Sequence, residues 1–199
     1  MKIGTIGAGR IAKAVVKHAS AAGYEIVMSN RSGVSSLSET VKEFGSNVRA
    51  GTQMEALESD IILLSIPWSE VESVLKGIDS PWHGKIIIDT TNAASFPGFK
   101  PLDLNGKTSS QIVSELADGA AVIKAFNTVE AAILADDPNE GGGNRVIFLS
   151  GDNYDAKKTV MELLTKMNFA GVDLGGLAES TIQQVGGPLI TKNFIKLPR

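Results

Sequence analysis

Ile3-Gly4-Thr5-Ile6-Gly7-Ala8-Gly9-Arg10-Ile11-Ala12 decides how this chain is read. Ile3 to Ile6 reads as a short strand buried on both faces, and Ile11 to Ala22 repeats its apolar residues with a helical period. Between them lies a GxGxxA turn. Its first glycine permits a tight bend and its second lets the backbone approach a pyrophosphate. Its third position need only be small, so that helix and strand pack closely. The helix start then offers unpaired N–H groups and the positive end of a dipole to phosphate. The alternative is an ordinary tight strand-to-helix turn; the context at the head of a strand-helix alternation favours a nucleotide.

Outward from this turn the alternation continues. Glu25 to Met28, Asp60 to Ile66, Lys85 to Asp89, Ala121 to Ala125 and Arg145 to Leu149 read as strands. Val34 to Phe44, Val71 to Leu75, Ser109 to Leu116 and Tyr154 to Met167 read as helices. The pattern predicts an α/β, Rossmann-type doubly wound domain over residues 1–199, with about eight strands in a mainly parallel sheet and helices on both faces. Two stretches break the rhythm. Thr91 to Lys107 is a long irregular loop, taken as functional, and Asp136 to Asn144 is a polar turn, taken as mobile. Residues 175–199 form a tail with a short helix, Leu177 to Val185. It reads as a wall of the acceptor site, a strip docked on the sheet edge or a homodimer contact.

A length of 199 residues suits one large domain, burying roughly 70% of the unfolded surface without disulfides or metal. The net charge of −3 gives no electrostatic case for nucleic acid or an anionic membrane. There is no cysteine, so thiol nucleophiles and thiolate metal sites are excluded. Met1 to Ile6 has neither a signal peptide's basic start nor its apolar stretch, which makes cytoplasm the expected location.

The end of the second strand selects the nucleotide. NAD-selective sites carry an acid about 20 residues after the glycines. Here Met28-Ser29-Asn30-Arg31-Ser32-Gly33 holds no carboxylate, while Arg31 can pair with a 2′-phosphate and Ser29, Asn30 and Ser32 can donate to it. A solvated arginine in a polar turn is the bland alternative; NADP(H) is the expectation. Further strand ends are marked by Ser65-Ile66-Pro67-Trp68, Asp89-Thr90-Thr91-Asn92 and Lys124-Ala125-Phe126-Asn127-Thr128. Asn92 and Asn127 can hold the nicotinamide half, although asparagine is also a common turn residue.

Together these segments, with Gly151-Asp152 ahead of a helix and Val172-Asp173-Leu174-Gly175, resemble the family of NADP oxidoreductases dependent on coenzyme F-420, a deazaflavin. They are also similar to the NADPH-binding domains of the STEAP ferric reductases. The resemblance implies that Gly7, Ala8, Gly9, Arg10 and Ile11 form the pyrophosphate side and that Asn30, Arg31 and Ser32 hold the 2′-phosphate. Ser65, Ile66 and Pro67 would line the central path, and Asn92, Ala125 and Asn127 the nicotinamide. It further implies an enzyme that moves a hydride between NADPH and a flavin or deazaflavin-type ring.

Proton donors for carbonyl chemistry are scarce. His18 and His83 read as surface residues, Tyr24 lies at the wrong end of the sheet and Tyr154 opens a later helix; Lys124 is nearer the right place, and reads equally as a donor or as a solvated or paired residue. A ring acceptor needs positioning rather than a fixed acid. No residue is assigned a catalytic or metal-binding role. Direct reduction of a small carbonyl or imine, and a non-catalytic NADPH-binding redox sensor, are the rival readings. The expected partner is a small-molecule hydride acceptor.

Overall fold

A computed structural model of the chain describes residues 1–78 and 82–198. The first strands are β1 (Lys2–Ile6), β2 (Glu25–Ser29), β3 (Val48–Ala50) and β4 (Ile61–Leu64). They are followed by β5 (Ile86–Asp89), β6 (Ala121–Ala125), β7 (Gly143–Gly151) and β8 (Ala170–Asp173). These eight lie in the order β8-β7-β6-β5-β4-β1-β2-β3. Strands β1 to β6 are parallel; β7 runs antiparallel to β6 and parallel to β8. The expected mainly parallel, doubly wound sheet is present.

Helices α1 (Arg10–Ala21), α2 (Ser38–Lys42), α3 (Gln53–Leu57), α4 (Trp68–Lys76), α5 (Ser109–Leu116), α6 (Ala131–Ala135) and α7 (Tyr154–Lys166) flank it. Because side chains alternate across a strand, each central strand feeds two cores. Ile61 and Leu63 join α1, α6 and α7 on one face. Ile62 and Leu64 join α4 and α5 on the other. Gly4 of β1 is required by this packing, since a Cβ there would collide with the Ala56 carbonyl behind α3.

Several boundaries differ from the sequence reading, each with a local cause. The segment expected as one helix from Val34 to Phe44 is a 3-10 turn, Val34–Leu37, followed by the short α2. The Ser36 and Ser38 hydroxyls donate to the Gly33 and Ser35 carbonyls at 2.7 and 2.9 Å, which ties the chain into turns. The strand expected to reach Ile66 ends at Leu64. The loop taken as mobile is a hairpin: Asn139–Glu140 pairs with Gly143 and Asn144 across Gly141-Gly142, both at positive φ. Two consecutive positive-φ residues suit the two-residue turn that matches strand twist. The loop from Thr91 holds a second small hairpin, Ala94–Ser95 against Lys100–Pro101. In the tail, the expected helix is a 3-10 turn, Ala178–Ile182, and Ile195–Lys196 pairs antiparallel with Arg145 and Asn144 of β7. Arg199, the last residue of that tail, lies outside the described residues. Among the described residues no helix is long and apolar enough to cross a membrane.

Candidate functional site

The carboxyl ends of the parallel strands share one rim, where ligands of such sheets bind. Along it the loops follow strand order: Arg31 after β2, Gly7 to Arg10 after β1, Ser65 to Trp68 after β4, Thr90 to Asn92 after β5 and Phe126 to Glu130 after β6. Four inter-strand steps of ~4.8 Å carry this rim across roughly 19 Å. A cleft of about 800 Å³ opens on it.

The turn after β1 is shaped by its glycines. Gly7 has φ of 99°, and a Cβ there would strike the Ser65 carbonyl, so the β1 and β4 loops touch only because the residue is glycine. Around Gly9 the position of a Cβ meets nothing within 4 Å, which leaves open space directly above the start of α1. Gly9 caps α1 without a side-chain hydrogen bond, and the first turn carries no acid. Ala12, the third small position, is fully buried. An open, uncapped helix start beneath free space fits a pyrophosphate.

At the β2 end, Arg31 is 86% exposed at its side chain and pairs with Glu70 of α4, Nη1 to Oε1 3.1 Å. The carboxylate missing from the β2 segment thus arrives from a different element. The Asn30 amide donates to the Ser36 hydroxyl at 3.0 Å, and Ser32 is exposed. These three lie beyond the cleft's lining, on its nucleotide side.

In the centre, Gly9, Arg10, Ile11, Ser65, Ile66 and Pro67 line the cleft as a group. Asn92 and Asn127 line it too, and they clasp each other. The Asn127 amide donates to Asn92 Oδ1 at 3.1 Å and to the Gln183 carbonyl at 2.7 Å. The Asn92 amide returns a bond to the Asn127 carbonyl at 3.0 Å. Asn127 Oδ1 and Thr91 Oγ1 are buried without a partner. An acceptor and a hydroxyl left unpaired at one wall suit a primary amide such as the nicotinamide carboxamide. Ala125 is fully buried at the end of β6 and Ala8 half-buried; neither lines the cleft.

Beneath this floor sits a buried ion pair. Lys124 Nζ lies 3.1 Å from Asp89 Oδ2 and donates to the Thr91 carbonyl (2.7 Å) and Ser109 Oγ (3.0 Å), with both charged side chains at 0% exposure. Asp89 also accepts from the Thr91 N–H (2.8 Å) and Ser110 Oγ (2.6 Å). Lys124 is paired, not solvated, and it faces away from the cleft.

His18 corrects the sequence reading. It is buried on α1, its Nε2–H donates to the Leu134 carbonyl of α6 at 2.8 Å, and its ring meets Phe169 edge-on. Burial holds its pKa below the ordinary histidine value, against the hydrogen bond, which raises it. Periodicity hid this because α6, the helix that covers it, has only five residues. His83 is exposed, as expected.

Sequence reasoning pointed to the far side of the cleft only by segment, through the Thr91 to Lys107 loop and the tail, and named none of its lining residues. Phe96, Phe99 and Leu102 from the second hairpin, Thr128 to Ala132 ahead of and within α6, and Ile190 and Thr191 from the tail all line the cleft. Phe96 is 77% exposed and its ring stands 5.9 Å from that of Phe99. Three large apolar residues, Phe96, Phe99 and Leu102, within seven positions of an irregular loop were the available signal. The tail pairs with β7 and supplies two residues of the cleft's lining.

Residues 2–93 match the family model described as NADP oxidoreductase, coenzyme F420-dependent. A Sinorhizobium meliloti protein of known structure, SMa0349, is 44% identical over 98% of this chain and 96% of that one, with a TM-score of 0.92. Through residues 2–93, a little under half of its length, the chain is similar to this family. An F420-dependent NADP reductase from Methanocaldococcus jannaschii is 29% identical over 71% of this chain and 65% of its own length. The metalloreductase STEAP3 of Rattus norvegicus is 28% identical over 90% of this chain. The chain spans 35% of that relative's length.

Proposed function

We propose that this protein is an NADP(H)-dependent oxidoreductase that exchanges a hydride between NADP(H) and a planar ring acceptor of the flavin or deazaflavin kind. One observation carries the reading: among the residues lining the cleft, the only titratable side chains are Arg10 and Glu130, and its far wall is aromatic. Reduction of a carbonyl needs a proton donor at the new alkoxide, and no histidine, lysine, tyrosine or aspartate lines this cleft. A ring acceptor needs two flat systems held at short range, which apolar walls achieve by positioning. When bound, NADPH would supply the hydride from its C4, to N5 of a flavin or C5 of a deazaflavin, with the accompanying proton at N1 taken from solvent. The products are NADP⁺ and the dihydro ring.

The chain's own residues bind and orient. The open α1 start and Arg10 take the pyrophosphate, Arg31 the 2′-phosphate, and the Asn92–Asn127 clasp with Thr91 the carboxamide. The names of the relatives, an F420-dependent reductase and metalloreductases, support the same class of reaction. NADPH consumption with riboflavin, a deazaflavin or a ferric chelate tests it against a flavin-free assay with cyclohexanone. Turnover is expected with the rings alone, and with the chelate only when a ring is also present to pass electrons on singly. Robust flavin-free ketone reduction overturns it, and tight NADPH binding without turnover on any acceptor replaces it with a sensor.

A further inference from the structure

We infer that the acceptor side of the cleft selects an uncharged ring over a phosphorylated one, with Glu130 as the residue that sets the preference; this rests on the hydride-transfer reading above. The cleft is electrically lopsided. Its cations stand at the nucleotide end, Arg10 after β1 in the lining and Arg31 after β2 just beyond it. From β5 onward the lining is Thr90, Thr91, Asn92 and Asn127, then Phe96, Phe99, Leu102, Ile190 and the residues around Glu130. Glu130 is the one charged side chain there, it is exposed, and it makes no capping bond to α6.

No cation offsets it from within the wall. Lys124 is sealed under the floor, with its three bonds directed to Asp89, Thr91 and Ser109. Lys100 and Lys192, next to the wall in sequence, are solvent-exposed and do not line the cleft. Phosphate recognition relies on arginine forks, lysine charges or clustered N–H groups, and the far wall brings none of the charged ones. An anionic tail on the acceptor would instead meet a carboxylate, while a neutral ring would cover the exposed Phe96 face and remove apolar area from water.

The wall is fixed enough to discriminate. Gly186 of the tail, at φ of 91°, rests against Pro101 of the hairpin, and Arg145 Nη1 donates to Asn193 Oδ1 at 2.7 Å. Arg145, 2% exposed at its side chain, also pairs with Glu140 at 3.1 Å, so tail and hairpins are locked to β7.

Riboflavin and flavin mononucleotide share the reacting ring and differ by one phosphate, so they isolate the charge. With riboflavin the balance is NADPH plus riboflavin plus H⁺ giving NADP⁺ and dihydroriboflavin. Steady-state NADPH oxidation is expected to give kcat/KM about fivefold or more higher for riboflavin, the size of one like-charge contact near a protein surface. Glu130→Gln should bring the ratio close to one and Glu130→Lys should invert it, and both ratios should fade with added salt. Phe96→Ala, at an exposed position, should raise the riboflavin KM several-fold. Equal or better use of the mononucleotide by the unaltered protein, or a ratio that Glu130→Lys leaves in place, overturns the inference alone. Turnover of neither acceptor while NADPH binds overturns the hydride reading and this inference with it.

Discussion

Replacing Arg31 by aspartate tests the cofactor assignment most directly. The Arg31–Glu70 pair is exposed at the arginine, so at 3.1 Å it contributes at most about 1 kcal/mol and does not bar a phosphate from the guanidinium. A charge-assisted bond to that phosphate contributes about 1.5–3 kcal/mol. An aspartate in its place removes the bond and adds a like charge, another ~1 kcal/mol in a water-like dielectric at 4 Å. Arg31→Asp should therefore cost NADPH about 2–4 kcal/mol, a factor of roughly 30 to 1,000 in Kd, and leave NADH nearly untouched. Glu70→Gln should act in the opposite direction, tightening NADPH by about 1.5- to 5-fold, because it removes a competing anion. Calorimetric titration of both nucleotides into the three proteins at fixed salt provides the measurement. Wild-type protein that binds NADH as well as NADPH, or an Arg31→Asp protein that weakens NADPH less than about threefold, refutes the assignment.

Other outcomes follow from the same geometry. Gly9→Ala should keep its melting temperature but lose NADPH affinity, since the added methyl enters only the open space above α1, whereas Gly7→Ala should unfold more easily because it strikes the Ser65 carbonyl at positive φ; thermal melts with and without NADPH separate the two. Lys124→Met strands Asp89 in the interior and should cost about 3–5 kcal/mol in denaturant melts. The protein that stays folded should retain turnover within about tenfold, as Lys124 positions the Thr91 backbone rather than giving up a proton. His18, whose folded-state pKa is lowered by burial, binds its proton more weakly folded than unfolded. Its contribution is complete above the unfolded value of about 6.5 and declines as pH falls through it toward the folded value. Melting temperatures at pH 7.5 and 5.5 should therefore differ more for the natural protein than for His18→Gln.

The first half of the sheet and its glycine turn were legible because their determinants are local. The glycine turn, the buried strands on either side of it and Arg31 after β2 each depend on a few consecutive residues. The long, apolar elements were found for the same reason. What escaped was short or built from distant parts. β3 has three residues and β8 carries an alanine and a glycine, too little apolar period to register. α3 did leave a mark in Thr52-Gln53-Met54-Glu55, whose reciprocal capping bonds are present. Glu70 could not be placed against Arg31 from sequence, because 39 residues and a strand crossing separate them. The acceptor wall draws on three segments that meet only through the tail's return to β7.

Strand β7 points the other way from its neighbours. Leu149 meets the end of β6 at Ala125, so residues 143–148 extend past the rim where the parallel strands stop. They form a post on which the tail and the 139–144 hairpin hang, while Gly9, Arg10 and Arg31, at the other end of the rim, all come from the first 31 residues. Grafting residues 94–196 from a relative should accordingly transfer the choice of acceptor and leave the 2′-phosphate preference set by Arg31 behind.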